Sequence, residues 1–117
     1  MGSKHSFKHA LNGIKYAWHN EINIRIQLII GILAIITAYF LNLNKIDFII
    51  ILFCITIVVA SEMMNTAVEK ICDFISPGID QRIKIIKDIA AGTVLIVSLA
   101  SSIIGLIIFY KYIVIIY

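Results

Sequence analysis

From Ile89 to Tyr110 the chain reads IAAGTVLIVSLASSIIGLIIFY, without a single charged residue. A helix crosses the hydrocarbon core of a bilayer with about 20 mostly apolar residues, and this run meets that length by itself. Two further segments resemble it. LIIGILAIITAYFLNL runs from Leu28 to Leu43 and begins a turn earlier, near Ile24; the other starts at Ile46, is uncharged from Phe48 to Ser61 and continues to Asp73. Backbone groups in lipid must bond within their own segment, so all three are helices. The 117 residues are 61% hydrophobic and only 15% charged, too little polar surface for a soluble domain. The expectation is a single all-α integral membrane domain over residues 1–117, with spans at about 24–43, 46–73 and 86–110.

Ahead of the spans the pattern changes. Phe7, Ala10, Leu11, Ile14, Ala17 and Trp18 recur at three- and four-residue steps, while Lys4, Lys8, Asn12 and Lys15 fall elsewhere. This is the signature of an amphipathic helix over about 4–20, and its lysines and tryptophan suit the membrane interface. Tyr16, Tyr110, Tyr112 and Tyr117 fit interface anchoring as well. The net charge of +3 comes from residues flanking apolar runs and forms no basic block, so no nucleic-acid partner is expected. Lys4, Lys8, Lys15 and Arg25 precede the first span, and Lys70, Arg82, Lys84 and Lys87 surround the second connection; Lys45 and Lys111 stand alone at the other ends. The positive-inside rule places the N-terminus and the second connection in the cytoplasm. Cys54 and Cys72 lie too far apart along one helix to pair, and read as small buried hydrophobes.

One stretch breaks the oily pattern. SEMMNTAVEKICD, Ser61 to Asp73, carries Glu62, Asn65, Glu69 and Asp73 at the cytoplasmic end of the second span. At about 100° per residue these four fall within roughly 80° of one another, a single polar stripe. Carboxylates at that depth are costly unless paired, metal-bound or facing water, so they point to function. Asn20, Glu21 and Arg25 before the first span, and Lys87 and Asp88 before the third, lie at matching depth. Several carboxylates with a lysine suit a hard cation such as Mg²⁺ carrying nucleotide phosphates. A remaining carboxylate could take the proton of an alcohol attacking a γ-phosphoryl group. No glycine-rich phosphate loop is present. A proton- or cation-coupled transporter and a purely structural membrane subunit are the competing classes; against the transporter, no ionisable residue lies near the middle of a span. Polar faces of so thin a bundle need shielding from lipid, so homo-oligomerisation is expected. Ser98, Ala100, Ser101, Ser102 and Gly105 would allow close helix contacts.

Together these residues resemble the small bacterial diacylglycerol kinase and undecaprenol kinase family. SEMMNTAVEKICD is similar to its E-x-x-N-S/T-A-I/V-E-x-x-x-D signature, KDIAAGTVLI to its Lys-Asp element, and GIKYAWHNEINIR to its N-terminal region, in the same order from about Phe7 to Phe109. The resemblance implies a homotrimer in the bacterial plasma membrane, with sites shared between subunits and facing the cytoplasm, and ATP- and Mg²⁺-dependent phosphorylation of a lipid alcohol. Position by position it makes Glu62 the general base that meets the lipid hydroxyl, and Glu21 and Glu69 the metal ligands beside the nucleotide phosphates. Asn65 would position the reacting groups and Asp73 support them. Lys87 and Asp88 would contact the nucleotide, with His9 and Asp80 as further nucleotide contacts.

Two positions depart from the family pattern. The connection that often reads S-E-Y-H or S-P-E-Y-H is Ser76-Pro77-Gly78-Ile79-Asp80 here, so a glycine replaces a loop glutamate; Lys70 stands where an apolar or small residue is usual. KYA, SPG and KDIAAG are more similar to the undecaprenol kinase branch, whereas AWHNE is closer to the diacylglycerol branch. Undecaprenol is the favoured substrate on this reading, and diacylglycerol the alternative. His5, His9 and His19 do not share one helix face and read as interfacial polar groups rather than a metal cluster.

Overall fold

The computed structural model describes residues 3–116. Tyr117, expected above as an interface anchor, lies outside them. Four helices follow one another: α1 (Ser3–Asn20), α2 (Ile22–Phe40), α3 (Lys45–Ile75) and α4 (Gln81–Ile116). The last three are each long and apolar enough to cross a membrane. α3 packs against both α2 and α4, and α1 leans on α2. The molecule measures 55 × 37 × 22 Å. Its short axis is about two helix diameters, at roughly 10–12 Å each. α3 has 31 residues and α4 has 36. At ~1.5 Å per residue both outrun a ~30 Å hydrocarbon core by several turns, so their polar ends reach past it.

The turns have local causes. α1 and α2 are separated only by Glu21, in extended conformation (φ −118°, ψ 104°). Arg25 holds the break: its Nε donates to the Trp18 carbonyl at 2.9 Å and Nη2 to that of His19 at 3.1 Å, and the guanidinium lies 5.8 Å from the Trp18 ring centroid. It thereby satisfies carbonyls that the end of α1 leaves free. α2 stops at Phe40, three residues before Leu43, because Asn42 adopts a left-handed conformation (φ 57°). Leu43 N–H donates to the Ala38 carbonyl and Asn42 N–H to that of Tyr39. These are the two bonds of a Schellman stop, with asparagine as the residue that tolerates φ > 0. α3 then starts on Asn44, whose side-chain oxygen accepts from Asp47 N–H at 2.8 Å. Pro77 and Gly78 separate α3 from α4.

Among the described residues the buried hydrophobic ones are few: Ala17, Ile24, Ala38, Ile51, Cys54, Val58, Cys72 and Ile108, with Ile24 the largest fully buried side chain. Both cysteines are free and buried. Gly31 lets α2 approach α3: a Cβ there would stand 2.5 Å from Ile55 Cγ2. Long apolar side chains on α2 and α4, among them Ile32, Leu33, Ile96 and Leu106, remain exposed to the bilayer or to other chains. The far end of the bundle has a fastening absent from the sequence-based reading. Asp47 is buried, and its Oδ2 accepts from Lys111 Nζ at 2.8 Å and from the Tyr112 hydroxyl at 2.7 Å. Tyr112 in turn accepts from Asn44 N–H at 2.8 Å.

Candidate functional site

At the opposite end of the bundle the polar residues gather. Ile51, Cys54 and Val58 are the buried side of α3. At about 100° per residue they share a ~100° sector with Glu62, Asn65, Glu69, Cys72 and Asp73. The core-facing stripe of α3 therefore turns polar toward this end of the helix. Glu62 and Asn65 are half-buried, while Glu69 and Asp73 are exposed.

Asn65 Nδ2 lies 3.4 Å from Glu69 Oε1, one helical turn away. Its Oδ1 is buried and has no hydrogen-bond partner among the described residues. A buried acceptor left unpaired costs free energy, so this atom is available to a donor from outside the chain. Asn65 also lines an apolar groove of about 420 Å³ between α3 and α4, formed with Ser61, Met64, Val68, Ala90 and Thr93. Lys87 Nζ, near the start of α4, bonds Asp73 Oδ1 across the helix pair. Asp88 points elsewhere and pairs with Lys84 at 2.8 Å on its own helix.

Glu21 reaches the same end of the molecule from the α1–α2 break. Its Oε1 lies 3.6 Å from Lys70 Nζ, and that ammonium sits 5.2 Å from the Tyr16 ring centroid. The sequence left Lys70 without an assigned partner, and its contact with Glu21 joins the base of the first span to the acidic end of the second. Asp80 is occupied by capping: Oδ1 accepts from Arg82 N–H at 2.9 Å and Oδ2 from Arg82 Nη2 at 3.2 Å. The Arg82 guanidinium and backbone N–H hold this carboxyl below the usual aspartate range. His9 is exposed on α1 and makes no ion pair among the described residues. The structure thus places three pairs at this end of the molecule, Glu21 with Lys70, Asn65 with Glu69 and Asp73 with Lys87, and Glu62 lies on the same face of α3 as Asn65, Glu69 and Asp73.

The donors are hard oxygens, but no three His, Cys, Asp or Glu side chains among the described residues converge on one point. Mg²⁺ is usually held by one or two carboxylates together with substrate phosphates, and Glu21 and Glu69 are carboxylates that could hold it.

The prokaryotic diacylglycerol kinase family matches residues 8–109. The chain belongs to that family. It is 34% identical over 104 residues to the undecaprenol kinase of Bacillus subtilis, covering 89% of this chain and 85% of the relative. It is also 34% identical over 101 residues to a diacylglycerol kinase of Synechocystis, covering 86% of this chain. This chain spans 58% of that relative's length. A diacylglycerol kinase of Haemophilus influenzae is 34% identical over 68 residues, 58% of each chain. Membership and the three spanning helices make this diacylglycerol kinase family member a bacterial membrane protein.

Sequence reasoning found most of this end of the molecule and overlooked the Asp47 cluster at the other. A signal was present: Asn44 followed three residues later by Asp47, just before an apolar run, is close to a capping box.

Proposed function

We propose that this protein is an ATP-dependent lipid kinase that phosphorylates a primary alcohol resident in the membrane, undecaprenol in the first place. One observation carries the reading: at one end of three spans the α3 stripe meets Lys87 through Asp73, and Lys70 on the next face of α3 meets Glu21, beside an apolar groove lined by Asn65. There a chain dissolved in lipid can present its hydroxyl to a nucleotide dissolved in water.

In this mechanism the lipid hydroxyl lies at Glu62, which takes its proton as the oxygen bonds to the γ-phosphorus and ADP departs with the bridging oxygen. Asn65 orients the reacting groups through its unpaired Oδ1. Lys87 leaves Asp73 for the phosphates, and Asp73 and Asp88 steady the lysines around them. Glu21 and Glu69 would hold Mg²⁺, which when bound offsets charge on the phosphates. The site faces the cytoplasm, where ATP is, in accord with the basic residues at that end. Exposed apolar faces on α2 and α4, and a carboxylate set that one chain leaves dispersed, support a homotrimer with sites shared between subunits.

Undecaprenol is favoured by KYA, SPG and KDIAAG; diacylglycerol is the second reading, favoured by AWHNE and by the names of two relatives. The test is a phosphorylation assay with purified protein, ATP and Mg²⁺, offering undecaprenol and diacylglycerol side by side. Preferential labelling of undecaprenol is expected. Preferential labelling of diacylglycerol would reverse the substrate order, and an intact protein that labels neither would sink the kinase reading. Nucleotide-independent flux in sealed vesicles would favour a transporter instead.

A further inference from the structure

Lys70 is the one basic residue inside the acidic stretch of α3, and it does not point along the polar stripe. At about 100° per residue it is turned away from Glu69, toward α1 and the start of α2. There its ammonium is held between the Glu21 carboxylate at 3.6 Å and the face of Tyr16 at 5.2 Å. Half of the lysine side chain is exposed, so the contact can open without unpacking the bundle. Glu69 is meanwhile turned to Asn65 on its own helix. Of the two carboxylates assigned above to Mg²⁺, one already carries a cation, supplied by the chain.

We infer that Lys70 is a resident cation that keeps Glu21 from free divalent metal and yields it only to metal arriving with nucleotide. This rests on the kinase reading of the same site. The logic is charge balance. A bare divalent cation offers the displaced ammonium no new partner and repels it at close range. A metal–nucleotide complex brings an excess of negative phosphate oxygens, so Lys70 can exchange a carboxylate for a phosphate as the metal takes Glu21. Lys70 is a positioning residue here: it acts through Glu21 and sets the order in which ligands enter. Glu69, about 100° round the helix, is left without an ion pair among the described residues and accepts from Asn65 Nδ2. Binding of metal and binding of nucleotide are then coupled, each strengthening the other.

The test measures Mn²⁺ binding to the full-length protein in detergent by the EPR signal of free Mn²⁺, with and without a non-hydrolysable ATP analogue, and Mn²⁺ held by the analogue alone is measured in protein-free samples and subtracted. Wild type, Lys70→Met, Lys70→Gln and Lys70→Arg are compared, each checked by gel filtration. Wild type is expected to bind Mn²⁺ weakly alone and about five-fold or more tightly with nucleotide, in the range typical of coupled sites. Lys70→Met and Lys70→Gln should bind Mn²⁺ alone about five-fold more tightly than wild type and lose most of the gain from nucleotide. Lys70→Arg, which keeps the charge, should restore the wild-type pattern. If neither neutral variant binds Mn²⁺ alone more tightly than wild type, or if wild type shows no gain from nucleotide, the inference is overturned. Because the titration involves no turnover, it is scored independently of the lipid assay. A protein that fails to phosphorylate any lipid would count against the kinase reading alone.

Discussion

Glu62 sits at the point where α3 changes from an apolar helix to a polar one, and the proposed mechanism makes it the base. Glu62→Gln preserves size and hydrogen bonding while removing the base. It is expected to lower lipid phosphorylation by about 10²–10⁴-fold, with the oligomer unchanged on gel filtration. A variant that keeps wild-type turnover would move the base elsewhere. Lys87 makes a contrasting case. Its bond to Asp73 spans two helices, so replacing it removes a fastening and, in the proposed mechanism, a phosphate contact as well. Lys87→Met should raise the KM for ATP more than it lowers kcat; equal tolerance of ATP by the variant would instead suit a transporter.

The α1–α2 break and the α2–α3 turn are set by a small number of local bonds, and those bonds can be cut singly. Asn44 accepts from Asp47 N–H at the start of α3. Asn44→Ala should cost about 1 kcal/mol, as loss of an N-cap side chain does, measured by denaturant or thermal unfolding in a fixed detergent. Helix spacing offers a second test. Gly31 faces the β-branched Ile55, whose methyl cannot swing aside freely. Gly31→Val should push α2 from α3 and cost roughly 1–3 kcal/mol, the usual range for overpacking. An unaltered unfolding curve would mean that the two helices already stand further apart.

For the molecule as a whole, the decisive property is how little of it is internal. A bundle two helices thick buries one large side chain completely and leaves most of its isoleucines and leucines outward. Lipid can cover those faces, but it cannot complete a dispersed set of carboxylates. Native mass spectrometry from detergent is therefore expected to show three copies. Mixing Glu62→Gln chains with Lys87→Met chains, assayed at ATP well below the KM of the Lys87→Met form, should raise activity above either alone if sites are shared between subunits. No recovery on mixing, with mixed oligomers present, would place each site within one chain.

By itself, the sequence determined the architecture and which helix end carries the polar stripe. Charge-free runs long enough to cross a bilayer admit only helices, and a 3.6-residue period puts Glu62, Asn65, Glu69 and Asp73 on one face whatever surrounds them. It also marked Glu21, Lys87 and Asp88 as lying at one depth, since depth follows from distance along a spanning helix. What the tertiary structure decided was which of these meet. Lys87 pairs with Asp73 while the adjacent Asp88 pairs with Lys84. Lys70 reaches Glu21, and Asp47 reaches Lys111, 64 residues away. Such pairings depend on how far each helix is rotated about its axis against its neighbours, and on turns such as the left-handed Asn42. Helical periodicity is a property of one segment. Rotation between segments is set by packing, at contacts such as Gly31 against Ile55, and no single segment contains it.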